Sequence, residues 1–162
     1  MKTLVIIRHA KAEQTFSSND FDRGLNDRGK TDAPEMAKRL KKKLEIDLFI
    51  ASPAKRTKKT AEYFCKAFGK EEKDLTFVAA LYQAPTPVFF DVVSELDDDL
   101  NTVAVVAHNP GVTNFVNELV PDAGIENLPT CAVVGVKADI NNWSEFQNAK
   151  KELLFFDYPK SN

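Results

Sequence analysis

Apolar, strand-like runs alternate with helical patterns along the whole of this 162-residue chain. The strand-like runs are predicted at residues 3–7, 47–51, 75–79, 102–107 and 132–136, with an edge strand at 153–156. The helical patterns lie between them, at residues 31–44, 53–68, 85–96 and 111–119. This alternation predicts an α/β fold, a three-layer sandwich whose mostly parallel central sheet is flanked by helices. Since no repeat or linker-like segment divides the sequence, we expect one domain over residues 1–162.

Both histidines of the chain directly follow predicted strands. His9 ends the run "LVIIRH" and His108 ends "VAVVAH". Function in open α/β sheets gathers beyond the C-terminal ends of the strands, so two parallel, neighbouring strands would bring the imidazoles together. A polar residue satisfied at a strand end is the alternative for each histidine alone. A metal site is a further alternative, but the sequence offers no well-spaced carboxylate cluster, so we predict neither a metal nor a cofactor.

The segment "SPAKRTKKTAEYF", from Ser52, follows the second predicted strand and carries a helix start signal. Ser52 is predicted as the N-cap and Pro53 as the first helical residue. Arg56 in the first turn can lean toward the strand ends and form, with Arg8, a two-guanidinium fork for a phosphoryl group. Three lysines in the same turns oppose the helix dipole and are interpreted as a solvated basic face: Lys55, Lys58 and Lys59.

A second helix start follows His108 in the segment "HNPG". Pro110 pre-sets a helical φ angle and Gly111 permits close backbone approach. The positive potential of this helix start is expected to lower the pKa of His108. Together with the arginines, these features predict a site built for an anion.

The charge composition of the chain argues against some classes of binding partner. The formal net charge is −2, which gives no global basic field for nucleic acid or for an anionic membrane. The lysine-rich segment at residues 38–45 is interpreted as a solvated helix end.

Cys65 and Cys131, placed in a predicted helix and a predicted strand, are expected to be small buried hydrophobes in a reducing compartment. The first apolar run is too short for a signal peptide, so we expect a cytoplasmic protein.

Five segments occur in the order typical of the histidine phosphatase superfamily, over about residues 2–120. They are "RHAKAE" from Arg8, "DFDRGLNDRG" from Asp20, "SPAKRTKKTAEYF" from Ser52, "LYQA" from Leu81 and "HNPG" from His108. More narrowly, the chain resembles the short branch related to the phosphohistidine phosphatase SixA. This resemblance implies the phosphoglycerate mutase-like fold, with the active site at the C-terminal ends of the strands.

The resemblance also implies a metal-independent, covalent mechanism. His9 would attack phosphorus and form a phosphohistidine that water then hydrolyses, while Arg8, Arg56 and His108 would hold the equatorial oxygens. The residues alone do not decide which histidine attacks. Four further residues are assigned to substrate binding: Asp20 and Arg23 at the entrance, Lys11, and Asn109.

The departures from the larger branches bear on the substrate. Those branches carry a carboxylic acid near the segment "LYQA" and insert a helical lid, whereas this sequence has no carboxylate at residues 81–84. Glu13, Asp20 and Asp22 remain candidate acids, although residues 17–23 can equally be a solvated loop with an Asx turn. A phosphorylated imidazole needs less acid catalysis than a phosphoester, so we expect phosphohistidine on a protein as the substrate. A small-molecule phosphomonoesterase and a catalytically idle phosphate-binding module are the alternatives.

Overall fold

The computed structural model describes residues 1–14 and 19–160. Its six strands are β1 (Lys2–Arg8), β2 (Leu48–Ala51), β3 (Leu75–Phe77), β4 (Thr102–Ala107), β5 (Val133–Ala138) and β6 (Lys151–Asp157). Its four α-helices are α1 (Asp27–Lys41), α2 (Lys55–Ala67), α3 (Thr86–Ser94) and α4 (Gly111–Leu119). The predicted alternation is confirmed, and the strand at residues 102–107 and the helix at residues 111–119 have the predicted bounds.

The strands form one sheet in the order β3-β2-β4-β1-β5-β6. The pairs β2–β3, β2–β4 and β1–β4 are parallel, whereas β5 and β6 run antiparallel to their neighbours. The predicted mostly parallel sheet is therefore confirmed. Because β2, β4 and β1 are adjacent and parallel, their C-terminal ends meet at one edge of the sheet.

Alternate side chains of the central strands supply two hydrophobic cores, one on each face of the sheet. Val5 and Ile7 of β1 pack with apolar residues of α1 and α2. Leu4 and Ile6 of the same strand pack on the other face with apolar residues of α3 and α4. This alternation is what a strand buried on both faces requires, and it produces the predicted three layers.

Two helix starts differ from the sequence prediction. Helix α1 begins four residues earlier than predicted because the Asn26 side chain caps it, accepting a 2.9 Å hydrogen bond from the Gly29 amide. The cap of α2 at Ser52 is wrong: the helix begins at Lys55, after Ala54, and no side chain caps it. The Ser52 hydroxyl contacts His108 at 2.7 Å and accepts only a long bond, of 3.4 Å, from the Ala54 amide.

Both cysteines are buried, as predicted, but Cys131 does not lie in a strand. It precedes β5 with a left-handed φ of 62°. Burial raises the pKa of the Cys65 thiol to about 11, so this thiol stays protonated at neutral pH. Among the described residues, no helix is both long and apolar enough to cross a membrane.

Candidate active site

A cavity of about 400 Å³ lies at the edge where β1, β2 and β4 end. Its lining contains all eight residues that the sequence assigned to the site: Arg8, His9, Lys11, Asp20, Arg23, Arg56, His108 and Asn109. Ala12, Gln14, Gln83 and Thr130 complete the lining. Segments far apart in the chain thus meet around one pocket, while the roles of the individual residues stay predictions.

His9 is fixed at the end of β1 by its backbone and by its ring. Its amide donates to the Ala107 carbonyl at 3.1 Å and its carbonyl accepts from the Cys131 amide at 3.0 Å. The ring Nδ1 lies 2.7 Å from the carbonyl oxygen of Ala10. Because a carbonyl can only accept, Nδ1 carries the hydrogen and Nε2 keeps its lone pair. The His9 ring therefore presents a basic nitrogen of fixed orientation.

The pKa of His9 is lowered to about 3, mainly because burial disfavours the charged ring. The neighbouring charges of His108, Arg56 and Arg8 lower it further, against the opposing effect of the bond to Ala10. The imidazole is consequently neutral at physiological pH, which is the state that a nitrogen nucleophile needs.

His108 stands beside His9, with the ring centroids 5.5 Å apart. Its Nε2 contacts the Ser52 hydroxyl, and Tyr82 packs edge-on against its ring at a centroid distance of 5.4 Å. The pKa of His108 is lowered to about 4, chiefly by burial and then by Arg56. The direction agrees with the sequence prediction, but the largest cause is burial rather than the helix start. Gly111 permits close approach as expected, because a Cβ there would lie 2.3 Å from the Ala84 carbonyl oxygen.

Three buried nitrogen atoms of the pocket residues have no hydrogen-bond partner among the described residues: Arg8 Nε, Arg56 Nε and His108 Nδ1. Other nitrogens of the arginines are engaged, since Arg8 Nη1 donates to the Leu128 carbonyl at 2.8 Å and Arg56 donates to Asp20. Buried polar nitrogens are almost always paired in folded proteins. All three belong to residues that the sequence assigned to an anion site, and the two arginine nitrogens can only donate, so they suit the acceptor oxygens of an anion.

Asp20 is the anion that Arg56 holds in this structure. Arg56 Nη2 donates to the carboxylate at 2.9 Å and Nη1 to the backbone carbonyl of the same residue at 2.7 Å. Arg23 donates to the other carboxylate oxygen at 2.9 Å, and the Tyr82 hydroxyl donates at 2.6 Å. These contacts, the Tyr82 bond first, hold the pKa of Asp20 far below its usual range. Asp20 is therefore ionised and has no proton to give.

The other two candidate acids, Glu13 and Asp22, do not line this pocket. The Asn19 side chain accepts a 3.1 Å bond from the Asp22 amide and caps a short 3-10 helix at Asp20–Asp22, so this bond spans one residue more than the predicted Asx turn would. Ser17 and Ser18, the first residues of that predicted loop, lie outside the described residues.

Arg23 and Asn109 are held by specific contacts at the pocket wall. Arg23 donates to the backbone carbonyl of Glu13 at 3.0 Å as well as to Asp20. The Asn109 amide donates to the carbonyl of Leu128 at 3.2 Å and accepts from Thr113 at 2.7 Å. Since Leu128 also accepts from Arg8, Asn109 supports the segment that orients this guanidinium.

Besides Ala12, Gln14 and Thr130 of the lining, sequence reasoning missed three residues that shape the site: Ser52, Tyr82 and Gln83. Gln83 lines the pocket with a left-handed φ of 55°, a conformation that non-glycine residues rarely adopt. The signal for Gln83 was its place in the segment "LYQA", where larger branches carry an acid.

The two histidines make stability depend on pH. Their folded pKa values of about 3 and about 4 lie below the ordinary value of 6.5, so the unfolded chain binds more protons. We therefore expect the free energy of unfolding to be constant with respect to these groups above about pH 6.5 and to fall below it. The expected loss at pH 4 is about 3 kcal/mol for each histidine.

Urea unfolding at pH 7, 5 and 4 measures this loss. Comparing the parent with His9→Asn and His108→Asn variants removes the contribution of the carboxylates, which is common to all three proteins. Each variant should lose less stability than the parent between pH 7 and pH 4. Equal losses in all three proteins would contradict the assignment of two buried, neutral imidazoles.

Comparisons with known proteins give one family match and one fold. The model of the histidine phosphatase superfamily (branch 1) matches residues 4–81. No curated protein matches the sequence. Among solved structures, one assigned as the phosphohistidine phosphatase SixA of Agrobacterium tumefaciens superimposes with a TM-score of 0.82 at 24% identity, covering 98% of both chains.

Two further solved structures have the same fold. One, assigned as SixA of Nakamurella multipartitia, gives a TM-score of 0.83 at 22% identity, covering 99% of this chain and 97% of that one. The protein histidine phosphatase SixA in complex with tungstate gives 0.82 at 23% identity, covering 97% of each chain. Residues 4–81, which contain His9 and Arg56, thus match the histidine phosphatase superfamily, and the whole chain has the fold of the SixA structures; together these similarities indicate a phosphatase.

Proposed function

We propose that this protein is a metal-independent phosphohydrolase that forms a covalent phosphohistidine on His9 and removes phosphate from phosphohistidine in another protein. The observation that carries the proposal is the bond from His9 Nδ1–H to the Ala10 carbonyl, 2.7 Å long, inside the anion-lined pocket. This bond leaves Nε2 as the nucleophile, and the low pKa of His9 keeps that nitrogen unprotonated.

In the first step the Nε2 lone pair of His9 attacks phosphorus in line with the leaving nitrogen. The new N–P bond forms as the substrate's N–P bond breaks, and the leaving imidazole takes the electron pair. If its other nitrogen already carries a hydrogen, it leaves as a neutral ring and needs no proton. The His9 ring becomes cationic because Nδ1 keeps its hydrogen, and the Ala10 carbonyl stabilises that charge.

In the second step water attacks the phosphorus of phospho-His9. The N–P bond breaks, its electron pair returns to Nε2, and inorganic phosphate leaves with both hydrogens of the attacking water, which it exchanges with solvent. The neutral ring is restored, still oriented by Ala10. Dividing the reaction in this way replaces one difficult displacement by two easier ones.

The unpaired donors supply electrostatic stabilisation for the transferring group. Arg8 Nε, Arg56 Nε and His108 Nδ1 are fixed in a buried environment, where a hydrogen bond to developing negative charge is strong. Fixed donors and cations are the main means by which proteins catalyse phosphoryl transfer. These atoms support the expected roles of Arg8, Arg56 and His108 in holding the phosphoryl oxygens, while the bond to Ala10 supports the role of His9.

The protonation states at the mouth of the pocket favour a labile leaving group. Asp20 is ionised, and the side chain presented by the "LYQA" segment is an amide, Gln83. A phosphoester leaves as an alkoxide and needs a proton donor, which is worth about 10²–10⁴-fold in rate. Phosphohistidine does not need this donor, so its hydrolysis suits the site.

Comparing substrates tests the proposal. We expect kcat/KM for a histidine-phosphorylated protein to exceed that for simple phosphomonoesters by at least about 10²-fold, the size of the missing acid catalysis. A chelator should leave both rates unchanged. A clear preference for the esters would assign the site to small phosphomonoesters, and no turnover of either class, with phosphate still bound, would assign it to a binding module.

A further inference from the structure

Charge is distributed very unevenly along this chain. Residues 74–136 contain nine aspartates and glutamates and no lysine or arginine, whereas residues 27–73 contain 14 basic and eight acidic residues. In the fold, the basic segment and the acidic segment lie on opposite faces of the sheet, because α1 and α2 cover one face and α3 and α4 cover the other. A small net charge therefore conceals a basic face and an acidic face.

The basic face contains a groove between α1 and α2. One part, of about 920 Å³, is lined by Pro34, Tyr63 and Ala67 and by four lysines, Lys38, Lys41, Lys42 and Lys66. A second part, of about 220 Å³, is lined by Lys30, Lys55 and Lys59 with Glu13, Gly24 and Leu25. Tyr63 borders both parts. We call these two parts together the basic groove.

The basic groove begins at the wall of the catalytic pocket. Glu13 and Gly24 line the groove, while their chain neighbours Ala12, Gln14 and Arg23 line the pocket. The two chain segments of this wall are joined by the bond from the Glu13 amide to the Gly24 carbonyl, which is 2.8 Å long. A molecule whose phosphorylated group enters the pocket can therefore lie along the groove.

The lysines of the groove are available for a partner. All seven are exposed, and within the described part of the chain the one ion pair that any of them makes joins Lys59 to Glu62, at 3.4 Å. Lys30 and Lys41 lie eleven residues apart on α1, about 16 Å along the helix axis. This length suits a peptide segment or a protein surface rather than a small molecule.

We propose that the basic groove docks an acidic surface of the phosphorylated protein and so selects the substrate. This inference rests on the proposed function, since the substrate must be a protein for the groove to engage it. An acidic partner is attracted to the α1–α2 face and repelled by the α3–α4 face, so the charge division orients it before contact. The phosphorylated side chain then enters a pocket whose wall is shared with the groove.

Synthetic peptides isolate the effect of the groove. Each peptide carries one phosphohistidine, a glycine-serine spacer of four, eight or twelve residues, and a tail of six glutamates, six glutamines or six lysines. At low ionic strength we expect the best glutamate peptide to exceed its glutamine counterpart by about tenfold in kcat/KM, within the range of electrostatic steering. The advantage should disappear at high salt, and the lysine peptide should be the poorest substrate.

Two variants and one matched control assign the effect to the groove. Charge reversal by Lys38→Glu, Lys42→Glu and Lys66→Glu together should abolish the preference for the glutamate tail, and the corresponding triple lysine-to-glutamine variant should reduce it. The control carries the same charge change outside the groove, at Lys73, Lys137 and Lys150, and should keep the preference. Thermal melting checks the folding of each variant, and hydrolysis of free phosphoramidate, which is too small to reach the groove, should be unchanged in all of them.

The failures of the two proposals are distinguishable. If the parent hydrolyses no phosphohistidine peptide, the proposed function fails, and anisotropy of a dye-labelled, unphosphorylated glutamate peptide still decides whether the groove binds it. Equal kcat/KM and equal binding for glutamate and glutamine peptides would overturn the docking proposal, as would loss of preference in the control alone. Self-association at low salt that the groove variant abolishes would overturn it in favour of a second copy of this chain.

Discussion

Replacing His9 with alanine is expected to abolish the phosphoenzyme and to lower hydrolysis of a phosphohistidine protein by at least about 10³-fold. The nucleophile is the one group whose loss removes the two-step route, so the residual rate would come from binding and electrostatics alone. Rapid acid-free denaturation after mixing with a phosphodonor, followed by mass spectrometry, measures phosphate on the protein. The phosphate should be acid-labile, stable to alkali and located on His9.

The matched variant is His108→Asn, which alters the other imidazole of the pair. The Ser52 hydroxyl contacts His108 Nε2, and in the tautomer in which this hydroxyl donates to Nε2 the ring hydrogen is on Nδ1, from which we expect donation to phosphate oxygens. This variant should be slower than the parent but should still accumulate phosphate on His9. Phosphate on His108 in the His9→Ala protein, or hydrolysis at the parental rate, would contradict the assignment of the nucleophile.

The convergence of the histidines could be predicted because it depends on strong local signals. The apolar runs that precede His9 and His108 are bounded sharply by polar residues, and parallel strands bring equivalent ends together. The observed register pairs Arg8 with Ala107, one residue before each histidine. The hydrophobic pattern and the strand topology are sufficient to predict that His9 and His108 lie close together, because this prediction needs no side-chain contact.

The role of Ser52 was predicted wrongly for a physical reason. Serine before proline is a common helix start, and the same hydroxyl can satisfy either a backbone amide or a side chain from another segment. Its shorter contact, of 2.7 Å, is with His108, which is 56 residues away in the sequence. Local propensity does not determine this contact, because it depends on the pairing of β2 with β4, which brings Ser52 close to His108.

Asp20 and Tyr82 illustrate the same limit. The sequence suggested Asp20 as an entrance residue or an acid, but its protonation depends on the hydroxyl of Tyr82, 62 positions later, and on Arg56. Tyr82 itself occurs in the segment "LYQA", from which the sequence predicts only the lack of a carboxylate. The charge states of site residues can be inferred only once their tertiary contacts are known. Which cationic residues belong to the site, by contrast, can be inferred from the sequence.

Replacing Arg56 with glutamine is expected to lower kcat/KM by about 10³-fold, because an arginine that contacts a transferring phosphoryl group typically contributes 10³-fold or more. Arg56 is 5% exposed and is the residue that links the start of α2 to both the pocket and Asp20. Steady-state kinetics with a phosphohistidine protein measures the loss. Lys58→Gln, on the same helix but exposed, removes one positive charge outside the pocket and should cost less than about threefold.

Arg56 could either contact the phosphoryl group or only hold the segment around Asp20 in place. A second variant, at Asp20, separates these two possibilities. Asp20→Asn removes the carboxylate but leaves the Arg56 guanidinium in place with its Nε still available to phosphate. If Arg56 acts on the phosphoryl group, Asp20→Asn should retain most of the parental kcat. Arg56→Lys should then recover only part of the rate lost in Arg56→Gln, because a lysine ammonium cannot donate two hydrogen bonds in the fixed geometry of a guanidinium. If Arg56 served only to hold the segment around Asp20, then Asp20→Asn would be as slow as Arg56→Gln. The ratio of these two rates therefore decides whether the cation at the start of α2 contacts phosphate or only supports the pocket wall.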